Sequence, residues 1–144
     1  MPVNLQTIEY HGFPKTIEAE IDEAVENVTH LLPGWVAHLH VVWDGNDHEN
    51  EATVTCEYEY RRVILTICPA FLTVKNQHHV LIHEIGHIIT DPFTSLTERI
   101  VETLVPDNAR AFALGEIARH KEMLAEDIAI FTKRICPTDD DLID

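Results

Sequence analysis

With 144 residues, 45% of them hydrophobic, the chain is long enough to close one core without disulfides and too apolar for a disordered acidic polymer. Its 25 acidic against 10 basic side chains give a net charge of -15, which repels duplex nucleic acid and anionic membranes and argues against both as partners. The cysteines Cys56, Cys68 and Cys136 form no CxxC pair, the stretch MPVNLQTIEYHGFPK has no secretory pattern, and no apolar run is long enough to span a bilayer. The expectation is a cytoplasmic, single-domain protein over residues 1–135, followed by an acidic flexible tail at 136–144.

Residues 1–15 carry Pro2, Gly12 and Pro14 and read as an irregular lead-in. Thr16 can cap a helix through TIEAEIDEAVENVTHLL, with Ile17, Ile21, Val25 and Val28 on one face, ended by Pro33-Gly34. Three strands follow: WVAHLHVVW (35–43), the cleanly alternating ATVTCEYEY (52–60) and the more buried RRVILTI (61–67), with DGND (44–47) as a turn. No Gly or Pro marks the boundary between the last two. A helix is expected from about Thr73 to Thr90, stopping before Asp91-Pro92. Ser95-Leu96-Thr97-Glu98 reads as a capping box opening a short helix that Pro106 closes, and Asp107 caps a long helical stretch to about Ile135, with a break possible near Gly115. The order is an α+β pattern: an N-terminal helix, a small, mainly antiparallel three-stranded sheet, then helices.

Residues 78–90, HHVLIHEIGHIIT, hold four histidines and one glutamate. His83-Glu84-Ile85-Gly86-His87 is an HExxH motif. Helical positions four apart are separated by about 40° around the axis, so both imidazoles point the same way and can reach one Zn²⁺. Glu84, offset by one position, falls beside such a metal, where it can take a proton from activated water and pass it to a leaving amine. With ten His in the chain and the glutamates as frequent as they are, a chance HExxH is expected roughly 0.07 times, so the motif carries weight. Ile82, Ile85 and Ile89 make the expected core-facing stripe. His78 and His79, at the helix start, read as surface or substrate-side residues rather than ligands.

HEIGHIIT resembles the active-site helix of the zincin metallopeptidases, including small prokaryotic and phage peptidases of the IrrE/ImmA type. The resemblance covers roughly residues 60–135 and implies a minimal zincin-like domain, with zinc as cofactor and a peptide or protein as substrate. It implies a zinc endopeptidase in which Glu84 acts as general base and acid. The extension HExxHxxGxxH is absent, so a glutamate from a later helix is the expected third ligand, as in gluzincins. Glu98, Glu102, Glu116, Glu122 and Glu126 are candidates, with Asp91 an outsider. Helical angles set Glu98 and Glu102 opposite the apolar arc of their helix, and Glu122 on the side carrying Ala118, Ala125 and Ala129, where small residues permit close approach. Glu122 and Glu126 also resemble the gluzincin pair of ligand and outer acid, and the two can exchange roles.

Trp35 and Trp43 read as packing residues, and Tyr58 and Tyr60 as cross-strand packing or contacts to a peptide laid along a sheet edge. Two alternatives to the peptidase stand: another metal-dependent amide hydrolase, and a non-catalytic interaction protein with a structural zinc. Deformylases also use HExxH, but ICPAF around Cys68 does not resemble their cysteine motif.

Overall fold

The structure, a computed structural model, describes residues 5–135. The expected tail at 136–144, with Cys136, lies outside them. Ten elements follow one another: β1 (Thr7–His11), α1 (Lys15–Glu26), a 3₁₀ turn (Thr29–Leu31), β2 (His38–Trp43), β3 (Ala52–Glu57), a 3₁₀ turn (Tyr58–Tyr60), β4 (Arg62–Ile67), a 3₁₀ turn (Pro69–Thr73), α2 (Gln77–Leu104) and α3 (Asp107–Ile135). The class is α+β.

The sheet differs from the expected one. It has four strands in the order β1-β2-β4-β3; β1 and β4 both run parallel to β2, and β3 is antiparallel to β4. The additional strand, β1, lies inside the lead-in read as irregular. Its five residues do alternate, with Ile8 and Tyr10 turned inward, but the breakers on either side hide so short a period. The chain leaves β1, crosses over through α1 and returns as the parallel β2 (Thr7 opposite His38), whereas the β3–β4 hairpin adds the antiparallel edge. That hairpin turns through Tyr58–Tyr60 and Arg61, whose φ of 52° is left-handed, so no glycine was there to announce it.

Alternation gives the sheet two unlike faces. Leu39, Val41, Val63, Leu65 and Ile67 point to one side, where Ile21 and Val25 of α1, Leu81, Ile82 and Ile85 of α2, and Phe71 close the core. The other side carries polar groups, including Thr7, Glu9, His11, His38, His40 and the Arg62–Glu57 ion pair.

The helices also depart from expectation. α1 begins at Lys15 with Pro14 at the cap position, so Thr16 sits inside it. α2 begins later than Thr73, with the Asn76 side chain accepting from the His79 amide at 3.0 Å, and it runs unbroken through Pro92 to Leu104. Pro92 can donate nothing to the carbonyl four residues back. Burial of Thr94 and Val101 in the long α2–α3 packing compensates, so the expected stop at Asp91-Pro92 does not occur. Ser95 lies inside the helix and donates to Asp91 at 3.2 Å instead of capping a new one. α3 is continuous through Gly115. Ile89 is exposed, and Ile88 takes its expected place in the core. Among the described residues no helix is long and apolar enough to cross a membrane.

Candidate metal centre

The centre forms where α2 and α3 come closest. A Cβ placed on Gly86 would lie 3.0 Å from both the Cα and the carbonyl oxygen of Ala125. Glycine on one helix and alanine on the other therefore let the two backbones touch, next to His87 and about one turn from His83. Three positions before Ala125, Glu122 swings over α2. Its Oε2 is 3.1 Å from His83 Nε2 and its Oε1 is 3.2 Å from His87 Nε2. One residue after Ala125, Glu126 reaches the other side of His83, with Oε2 2.8 Å from Nδ1, and also holds His79 Nε2 at 2.8 Å.

The two imidazoles stand 4.9 Å apart between centroids and nearly perpendicular, at 77°. Metal-ligating atoms of His83, Glu84 and His87 lie within 4.8 Å of one another, a group able to hold a metal ion. The donor set fits a divalent cation that accepts nitrogen and oxygen: two Nε2 atoms aim at one carboxylate, and one of the rings is oriented from behind by a second acid. The Nδ1 of His87 is buried and finds no hydrogen-bond partner among the described residues.

Electrostatics separate the members. Burial pushes the Glu84 carboxyl up to about 7; the charge of His83 opposes this and that of Glu122 adds to it. Burial also lowers His87 against the pull of Glu122. At His83 burial acts in the same direction but is outweighed by the bonds to Glu126 and Glu122, so its pKa is raised. Glu126 is lowered because His83 and His79 overcome its own desolvation. A low-dielectric position for Glu84 beside a strongly paired His83 is thus built by packing.

Two clefts open beside Glu84. One, of about 250 Å³, includes Glu51, Ala52, His79, His83 and Glu126 in its walls; the other, of about 230 Å³, includes Thr53, Val54, His87, Lys121 and Glu122. Ala52 and Glu84 belong to both, so the two form a groove along β3, an edge strand of the sheet.

Of the other candidates, Glu98 and Glu102 share α2 with the histidines but sit beyond Pro92, and Glu116 pairs with Arg119 at 2.7 Å. Asp91 accepts from Tyr58 and Ser95. Tyr58 also packs its ring 4.6 Å from Trp35, which fits its packing reading, and Tyr60 is exposed. His79, expected as a surface or substrate-side residue, lines the first cleft and bonds Glu126, and the Asn76 cap fixes its position; an Asn three residues before that histidine is the local signal for the cap. A second group, Glu9, His11 and His40, lies on the open sheet face. There His40 spends both nitrogens, Nε2 on Glu9 at 3.1 Å and Nδ1 on His11 at 3.3 Å, and the acid is exposed. No protein-family model, curated protein or solved structure matches this chain.

Proposed function

We propose that the chain is a zinc-dependent peptidase of the zincin kind, in which His83, His87 and Glu122 hold the cation and Glu84 handles protons. The observation that carries this reading is the convergence of both Nε2 atoms on one carboxylate, with a half-buried acid beside them. When bound, the cation supplies Lewis acidity that activates water and polarises a carbonyl. The remaining work belongs to the chain. Glu84, beside His83 and His87 but not bonded to either in the way Glu122 is, can accept a proton from water and release it to the departing amine within one turnover. Glu126 fixes the His83 ring through Nδ1, leaving Nε2 directed at the site. The free edge of β3 offers backbone groups to an extended peptide, which would lie in the groove past Glu84.

The test is to incubate zinc-loaded wild type and Glu84→Gln with a peptide library and read new N-termini. Wild type should cleave, and the variant should retain zinc but lose at least about 10²-fold in rate. Equal rates would sink the role given to Glu84. A second reading, a structural cation site closed by Glu84 as fourth ligand, draws on the nearness of Glu84 to both histidines. It requires the opposite outcome for the same variant: no cleavage by either form, and weakened zinc binding in Glu84→Gln.

A further inference from the structure

The apolar face of α2 continues beyond the sheet it packs on. Ile82 and Ile85 are buried against the core, and the same stripe runs on through Ile89, Phe93, Leu96, Ile100 and Leu104, all exposed, with Phe93 at 75% and Leu104 at 74%. At about 1.5 Å per residue the helix is about 42 Å long, against about 20 Å for the strands beneath it. Its C-terminal half therefore overshoots the sheet as one arm of a hairpin with α3. Phe93 and the exposed Leu124 line a shallow, mainly apolar cleft of about 240 Å³ between the two arms. The exposed stripe amounts to on the order of 600 Å² of apolar surface, at the upper end for a monomer and approaching the ~800 Å² that each partner gives a standard interface.

Charge selects the occupant. Residues 92–135 carry seven acidic and six basic side chains, whereas the rest of the chain carries 18 acidic and four basic. A second copy is repelled from most of the molecule but meets a nearly neutral surface on the hairpin. We infer that the α2–α3 hairpin is a homodimer interface, in which the stripes Ile89–Leu104 of two copies cover one another about a two-fold axis. The arrangement is self-complementary, since each copy offers the same patch it needs to bury. Steps of four, three and four residues from Ile89 to Ile100 match the seam of packed helices in bundles. A basic protein partner would be drawn to the acidic remainder of the chain instead of to this neutral arm.

The experiment is sedimentation velocity on the zinc-loaded full chain from about 1 to about 100 µM, beside Phe93→Glu/Ile100→Glu. Wild type should become dimeric within that range, and the variant, with like charges opposed across the seam, should dissociate at least about 100-fold more readily while its circular dichroism stays unchanged. A wild type monomeric throughout, or a variant that dimerises as wild type does, overturns the inference. Should the variant fail to fold, hydrogen exchange in wild type decides. Slower exchange at residues 89–104 at the higher concentration supports the interface, and concentration-independent exchange overturns it.

Discussion

Burial of Glu84 makes the stability of the metal-free chain depend on pH. Its carboxyl moves from an ordinary 4.5 to about 7 in the folded, metal-free chain. A raised folded-state value means that the contribution is fully present below 4.5 and is lost as pH rises through about 7. Metal-free wild type should therefore lose stability relative to Glu84→Gln over that window, by as much as ~3 kcal/mol at about 1.4 kcal/mol per unit. Urea denaturation of both proteins at several pH values in chelator checks this; parallel profiles would contradict it. The two acids of α3 separate in the same spirit. Glu122 touches both Nε2 atoms, while Glu126 supports one ring from its far side. Loss of an outer hydrogen-bond partner costs about 10–100-fold in metal affinity. Glu126→Ala should fall in that range, Glu122→Ala should exceed it, and Glu102→Ala should leave affinity unchanged, as read by zinc titration against a competing chelator. If Glu126→Ala proves the worse of the two, the acids have exchanged roles.

At the level of the elements, the site depends on one contact between helices. Gly86→Ala would drive a methyl group to 3.0 Å from the Ala125 backbone, so α3 must give by a few tenths of an ångström, which lengthens the reach of Glu122 to the histidines. Gly115 offers a control, because a Cβ there meets nothing within 4 Å. Gly115→Ala should stabilise the fold by about 0.5–1 kcal/mol through helix propensity, whereas Gly86→Ala should lower the melting temperature and weaken zinc binding together. Equal melting shifts for the two variants would refute the close-approach account. Legibility divided along similar lines. The stripe of Ile17, Ile21 and Val25 announced α1, the apolar run in RRVILTI announced β4, and the spacing of His83 and His87 set both rings on one face. The alanines of α3 indicated the side from which Glu122 approaches, but no local pattern pairs them with Gly86, which lies 39 positions before Ala125. β1 stayed hidden because its pairing partner lies 31 residues away, beyond any local pattern. The passage of α2 through Pro92 was invisible for the same reason: it depends on α3, which lies later in the chain.

For the molecule as a whole, charge and metal act in opposite directions. A net charge of -15 makes the folded chain repel itself, and surface ion pairs such as Arg62–Glu57 and Arg119–Glu116 contribute too little each to offset it. Raising salt from about 0.05 to about 0.5 M should raise the melting temperature of the metal-free chain by screening that repulsion, and a fall would contradict this reading. A cation held between α2 and α3 stabilises the fold by mass action, about 2.7 kcal/mol when free metal is 100 times the dissociation constant. The most direct measurement is therefore zinc content by elemental analysis, with melting temperature read on the same samples. A His40→Ala background should be used, so that the exposed group on the sheet face does not contribute. The account predicts about one zinc per chain and a rise in melting temperature on loading. Both should vanish when His83→Ala and His87→Ala are added. Undiminished zinc and the same melting shift in that variant would contradict the assignment of the centre to His83, His87 and Glu122.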